Sequence, residues 1–552
     1  MKIQSKIVAK FIFVASLFIW QLQVSAQEIY TRQDSLRGSL STLRTCFDVY
    51  HYDLNLRVDV AKKTIAGYNT ISYKVVQPFD KLQLDLFENL QIDSIIWNKA
   101  QGKERLKFER EGKAFFVFFP ITQNINSSIS VYYSGKPIIS VNPPWDGGFT
   151  YKEDKEGKTW IGVSCEGIGA SLWYPNKDHL SDEPDSMRIY CEVPDSLVCV
   201  ANGNLISQRK TKDNFIGFEW KVGYPINNYN VTLNIANYAH LQDFYVSEDK
   251  DTLRLDYYVL AANAKKAAKH FKQVQPMLAC FEKLFGKYPF WKDGYALVET
   301  PYWGMEHQGA IAYGNQYKNN KWGFDYIIVH ESGHEYFGNS LSVNDHAEMW
   351  IHESFTTYVE ALFVEHIYGE KTMIAYLLEQ QENIRNTTPM LGHLGVNYDK
   401  WDGSDIYYKG TWMLHSLRNT VADDKTWFAT IKAFAEKFKI SQLSTEQVID
   451  FFNEKTGKNL TPIFKQYLTV AAAPKLVYYL ERGKKKTTLY YRWQADEPNF
   501  NMPMKIKVGG ETQYQTIYPQ KDFQKLIFAT NETAQNPVFA TELFYFELKE
   551  GK

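Results

Sequence analysis

The feature that most constrains this chain is the run Val329-His330-Glu331-Ser332-Gly333-His334-Glu335, followed by a carboxylate at Glu353, separated from His334 by eighteen residues. Histidines four residues apart in a stretch bounded by Ile327, Ile328, Tyr336 and Phe337 share one face of an α-helix. Both imidazoles can then reach one metal ion. Glu331 stands about 100° round that helix from His330, beside an open coordination position, where it can take a proton from water. Met349–Tyr358 reads as a second helix carrying Glu353. Two imidazoles and one carboxylate suit a single zinc ion and leave one tetrahedral position for water. His352 and His346 are rival third ligands. Gly333 in mid-helix costs about 1 kcal/mol relative to alanine, so its presence implies that something bulky approaches the helix there.

Around this core the chain changes character twice. From about Asp48 to Tyr238, short runs such as Tyr52–Val58 alternate apolar and polar residues between Gly, Asn, Asp and Pro clusters, as half-buried strands do. Aromatics at 16% fit such pleated surfaces. Ala261–Phe285 reads as a helix interrupted only by Pro276. Helical patterns dominate 321–470, one opened by Ser444-Thr445-Glu446 and another by Thr461-Pro462. Strand character returns in Leu476–Leu480 and Thr488–Tyr491, predicting a β-sandwich of about 80 residues at the end. A chain of 552 residues is too long for one core. The expected division is a leader over 1–26, a β-rich domain over 27–240, a catalytic domain over 241–470 and a β-sandwich over 471–552.

The leader is read from Lys2, Lys6 and Lys10, the apolar run Phe11–Trp20 and the small residues Val24-Ser25-Ala26. This is the pattern of a secretory signal peptide cleaved after Ala26, predicting a periplasmic or secreted protein with no stable membrane span after cleavage. An uncleaved anchor is the alternative, though the apolar run is short for a bilayer. Cleavage removes three lysines and no acid, taking the formal charge from -1 to -4. No basic excess points to nucleic acid. Five cysteines cannot form a disulfide framework in a chain this long. In a hairpin centred on Asp195, Cys191 and Cys199 would face each other and could bridge; two separate buried thiols are the alternative.

His330-Glu331-x-x-His334, the eighteen-residue spacing to Glu353, Phe337-Gly338-Asn339 and Trp350-Ile351-His352-Glu353 together resemble the aminopeptidase N and leukotriene hydrolase family of zinc peptidases. The resemblance runs from roughly Tyr50 to Leu468. It implies a β-rich N-terminal saddle or sandwich and a thermolysin-like, mostly helical catalytic domain, which with the small C-terminal β-sandwich read from the strand pattern make a multidomain α+β fold. It also implies hydrolysis of the first peptide bond of substrates with a free N-terminus. Gly304-Met305-Glu306-His307-Gln308-Gly309-Ala310 is similar to the family's exopeptidase motif, which makes Glu306 the anchor for the substrate's α-amino group, with Gly304 and Met305 beside the peptide. The segment around Ser164-Cys165-Glu166-Gly167 resembles the one that supplies a second anchor, here Glu166. Tyr407-Tyr408-Lys409-Gly410 resembles the family's Tyr-x-Lys-Gly motif, whose Tyr stabilises the oxyanion. Tyr407 holds that place and Tyr408 is its rival. Tyr302 is expected to line the pocket for the first side chain. His307 and His352 stand where the family usually has Asn, and Trp303 where a small residue is usual.

The same fold could also serve an endopeptidase, an epoxide hydrolase or a non-catalytic scaffold. Intact ligands, base and tyrosine argue against the scaffold. Many relatives carry a large helical C-terminal domain. With about 80 strand-like residues after the catalytic region, a more open site, or one covered by a partner subunit, is expected. Nothing in the sequence specifically indicates an oligomer.

Overall fold

The computed structural model describes residues 30–122, 125–529 and 536–551. The leader expected over 1–26 lies outside them. Among the described residues no helix is long and apolar enough to cross a membrane.

The N-terminal part is built on strand alternation. Along Phe47–Asp59 the side chains of Tyr52, Leu54, Leu56 and Val58 are buried while their neighbours stay partly exposed, so one face of the strand enters a core. This strand is central to an eight-stranded sheet, pairing parallel with Ser186–Pro194 and antiparallel with Thr64–Val75. A three-stranded sheet (Phe79–Asp85, Ala114–Ile121, Lys107–Glu111) and a four-stranded one (Val198–Val200, Asn234–Ala236, Thr159–Ser164, Gly148–Glu153) contribute to the same core.

Cys191 and Cys199 do not form the expected hairpin. The turn after Pro194, closed by the Leu197 amide on the Pro194 carbonyl, carries the chain out of the eight-stranded sheet. Cys191 stays in that sheet while Cys199 pairs with Ile235 in the four-stranded one. Both are buried free thiols, as are the other three cysteines.

From Tyr238 a mixed five-stranded sheet begins, in the order Tyr238–Val246, Thr252–Leu260, Tyr295–Glu299, Ile311–Tyr313, Gly304–Met305. Its two faces join different cores. Val298, Ala310, Ala312 and Met305 pack towards the N-terminal strands, whereas Leu297, Ile311 and Tyr313 pack on the helices. Gly304–Met305 is an edge strand, antiparallel to Ile311–Tyr313.

The stretch Ala261–Phe285 is two helices, Ala264–His270 and Val274–Phe285, joined by a 3-10 turn at Phe271–Gln273. The break falls before Pro276 because proline has no N–H to donate and its ring excludes a helical carbonyl four residues back. It is therefore accommodated in the first turn of a new helix. Thr445–Thr456 starts at Ser444 with a capping box to Gln447, and Thr461–Thr469 has its proline in the first turn. The C-terminal strands form a four-stranded and a three-stranded sheet. Trp493, Met502 and Phe546 share a core with the catalytic helices. The whole is a multidomain α+β protein: β-rich first, then helical, then strand-rich.

Candidate active site

The helix Tyr326–Gly333 starts on Asp325, whose carboxylate accepts the Ile327 amide at 3.1 Å and also holds Tyr313, Asn315 and His270, each at 2.7 Å. That cap fixes the helix on the sheet. The second helix, Trp350–Tyr368, crosses it closely. A Cβ on Gly333 would stand 3.1 Å from Thr356 Cγ2 and 3.4 Å from Val359 Cγ1, so the bulky approach implied by Gly333 is this helix.

Where the two helices meet, the Nε2 atoms of His330 and His334 lie 3.3 Å apart, and Glu353 Oε2 lies 3.7 and 3.6 Å from them. A tetrahedral site with bonds of about 2.0–2.1 Å has ligand–ligand edges of about 3.3 Å, so the triangle has the size of a tetrahedral face. Glu353 Oε2 is buried without a hydrogen-bond donor, although its residue is 3% exposed. Such an oxygen is costly unless a cation takes it. The other ring nitrogens are committed. His330 Nδ1 donates to Glu360 Oε1 at 2.6 Å, and His334 Nδ1 donates to the Phe337 carbonyl at 3.0 Å. Both bonds direct the Nε2 lone pairs into the triangle. Glu360, fully buried, is further held by Tyr376 and by Gln380 Nε2 at 3.2 Å. Its place seven residues after Glu353 on one helix, two turns on, was the available sequence signal, and the motif reading passed over it.

A cavity of about 420 Å³ opens over this triangle. Glu331 faces it from the first helix, and a Cβ on Gly304 would meet Glu331 Oε1 at 2.3 Å, so only glycine lets the edge strand pass this closely. Met305 and Glu306 follow along the same wall. Glu306 is pinned from the other domain: Tyr229 donates to its Oε1 at 2.9 Å. Its own carbonyl accepts Asn339 Nδ2 at 2.8 Å, and Asn339 in turn accepts from Asn230 at 2.8 Å. Tyr229 and Asn230 lie in a 3-10 turn of the β-rich part and escaped sequence reasoning. Glu166, half-buried, also faces the cavity; Arg37 and Asn397 hold its loop through the Gly167 carbonyl at 2.6 and 3.1 Å. Tyr407 stacks its ring 6.2 Å from that of His330 and favours the charged form of Glu353. Tyr408 lines the cavity nearer Glu360.

One expectation changes, and the rival ligands fall away. Tyr302 does not line the cavity. Its hydroxyl donates to the Val163 carbonyl at 3.0 Å, which ties it to the N-terminal strands, and Trp303 takes the cavity wall instead, packed against Tyr326. His307 and His352 are fully buried outside the cavity wall, His352 facing Ser342 Oγ at 3.3 Å. His352 is therefore not a ligand. His346 lines the cavity but stands outside the metal triangle. The mouth is open to solvent, with Trp145 65% and Trp303 47% exposed.

Among the described residues no Lys or Arg lines the cavity, whereas Glu166, Glu306, Glu331 and Glu353 all do. Burial, reinforced by the neighbouring carboxylates, pushes the Glu331, Glu306 and Glu166 carboxyls up. Glu353 goes down despite its burial, because His334, His330 and Tyr407 favour its charged form. His334, also against its burial, is raised to about 10 by Glu353, Glu306 and Glu331, while burial and His334 hold His330 at about 3. The field of this site therefore calls for positive charge, from a metal ion and from a bound ammonium.

Residues 49–229 match the peptidase M1 N-terminal domain and residues 270–467 the peptidase family M1 domain. Among curated proteins the chain is similar to probable aminopeptidase 1 of Sulfurisphaera tokodaii, 20% identical over 84% of this chain and 59% of that one. It is also similar to mouse aminopeptidase B, 23% identical over 59% of this chain and 53% of that one. The chain thus spans between half and three-fifths of the length of these relatives. Among solved structures, an M1 zinc metallopeptidase from Deinococcus radiodurans bound to a Tyr-Ser-Ala substrate aligns with a TM-score of 0.65 at 19% identity, over 77% of this chain and 94% of that one. Legionella pneumophila aminopeptidase A in complex with aspartic acid aligns with a TM-score of 0.76 at 16% identity, over 92% of this chain and 60% of that one. Both of the family's domains are matched, in order, along the segments that build the β-rich part and the two crossing helices, and the chain belongs to the peptidase M1 family.

Proposed function

We propose that the chain is a zinc-dependent aminopeptidase that hydrolyses the first peptide bond of peptides with a free N-terminus, acting in the periplasm or outside the cell after export through residues 1–26. The observation that carries this reading is the pairing of the His330–His334–Glu353 triangle with Glu306, held by Tyr229 on the same cavity wall. His330, His334 and Glu353 would hold one zinc ion, which would supply Lewis-acid chemistry to the scissile carbonyl and to a water. Glu331, buried among acids that raise its proton affinity, takes the water's proton and passes it to the leaving amine. Tyr407 donates its hydroxyl to the oxyanion, a contribution typically worth about 3 kcal/mol. Glu306 and Glu166 hold the substrate ammonium, so that the first bond, rather than a later one, lies over the metal ligands.

An endopeptidase would have no use for a carboxylate clamp for a terminal ammonium beside the metal triangle. Glu306→Gln tests the clamp: removing one partner of a buried charged pair costs about 2–5 kcal/mol, so kcat/KM on aminoacyl amides falls by roughly 30-fold or more. Unchanged kcat/KM would remove the amine-anchor role and with it the aminopeptidase reading.

A further inference from the structure

His346 is unlike the other cavity-lining groups that the mechanism leaves unused. It sits in the 3-10 turn His346–Glu348, capped by Asp345, and is 8% exposed. Its Nδ1 donates to the Tyr398 carbonyl, which fixes the tautomer: in the neutral ring Nε2 then carries a lone pair and no hydrogen. Nε2 is buried without a protein partner, on a residue that lines the active-site cavity. The ring cannot readily turn away, because the Tyr398 bond holds one edge and Trp401 packs against it with ring centres 5.8 Å apart. Burial, with Arg37 nearby, keeps the imidazole below its usual range despite Asp399 and Asp345, so it is neutral near pH 7.

Its position relative to the amine clamp says what the lone pair meets. Nε2 lies 3.9 Å from the point where a side chain on Gly167 would begin, and Gly167 follows Glu166 directly. His346 therefore stands beside the amine clamp, in a part of the cavity that Pro144, Trp145, Trp401 and Asp399 also line. A buried acceptor beside a substrate pocket discriminates by what it leaves unpaired: a side chain with a matching donor satisfies it, and an apolar one of the same shape leaves it unsatisfied.

We propose that His346 is a specificity-determining residue, its Nε2 selecting substrates whose N-terminal side chain ends in a hydrogen-bond donor. This rests on the aminopeptidase reading and adds to it a preference that the clamp alone does not impose. Glutamine and methionine are close in size and shape but differ in terminal N–H donors. On fluorogenic aminoacyl amides of these two residues, the wild-type protein should show a glutamine-to-methionine ratio of kcat/KM of about ten or more. His346→Phe should bring that ratio to about one, chiefly by losing glutamine turnover, with circular dichroism and zinc content as the check of folding. His346→Gln, which can still present an acceptor, should restore part of the ratio. A ratio unchanged in His346→Phe, or a wild-type preference for methionine, overturns the proposal while leaving the aminopeptidase reading intact. Hydrolysis of neither substrate by the wild-type zinc-loaded protein overturns both. If methionine turnover is lost in His346→Phe, the ratio in His346→Gln decides: a ratio near one counts against the proposal, and a ratio above one supports it.

Discussion

Replacing Glu360 with glutamine separates a structural acid from one that tunes the metal triangle. Glu360 is fully buried and accepts the Nδ1 hydrogen of His330 at 2.6 Å, so the substitution changes a charge-assisted bond into a neutral one of the same shape. Charge-assisted bonds contribute about 1.5–3 kcal/mol and neutral ones about half as much, so the net loss at His330 is about 1–1.5 kcal/mol. At about 1.4 kcal/mol per factor of ten, zinc affinity falls by roughly tenfold, the lower end of the range for partners of metal-bound histidines. The new amide also meets Tyr376 and Gln380, which donate to the other carboxylate oxygen, so thermal stability falls modestly as well. Competition against a chromophoric chelator reads the affinity, and circular dichroism checks that the helices remain. Zinc affinity within twofold of wild type, with the fold intact, would refute the claim that Glu360 sets the orientation and basicity of His330.

Three further outcomes follow from the same geometry. Tyr229→Phe removes a hydrogen bond to a buried carboxylate, so KM for aminoacyl amides should rise about tenfold with little change in zinc content measured by metal analysis. Gly333→Ala gains about 1 kcal/mol of helix propensity but places a methyl 3.1 Å from Thr356 Cγ2; overpacking of about 1–3 kcal/mol outweighs the gain, and urea denaturation should show a net loss. Tyr407→Phe should lower kcat by roughly a hundredfold or more, whereas Tyr408→Phe, whose hydroxyl stands nearer Glu360, should change it less than tenfold.

The parts of this molecule that could be read from sequence are those governed by local periodicity. His330, Glu331, His334 and Glu353 lie on two helices, and helical spacing alone places them on facing surfaces. Strand alternation around Tyr52–Val58 and the capping residues Ser444 and Pro462 act over a few positions and were legible for the same reason. Contacts made across domains were not. Tyr229 reaches Glu306 over 77 positions of sequence, and nothing in its surroundings distinguishes it from a packing tyrosine. The Cys191 hairpin failed because the chain changes sheets after Pro194, an event set by tertiary packing and not by the turn residues. Tyr302 was misplaced by one residue: whether it or Trp303 faces the cavity depends on the Val163 carbonyl that captures the phenol. Glu360 was within reach of helical spacing, two turns beyond Glu353.

The central claim is that a metal-dependent centre and an amine clamp act on the same substrate, and one matched comparison tests it directly. Initial rates are measured on a panel of aminoacyl amides, free and N-acetylated, before and after removal of metal by a chelator and its replacement with zinc. The account predicts turnover of the free amides only, loss of that turnover with the chelator and its return with zinc. Equal rates on acetylated substrates, or turnover insensitive to metal removal, would contradict it.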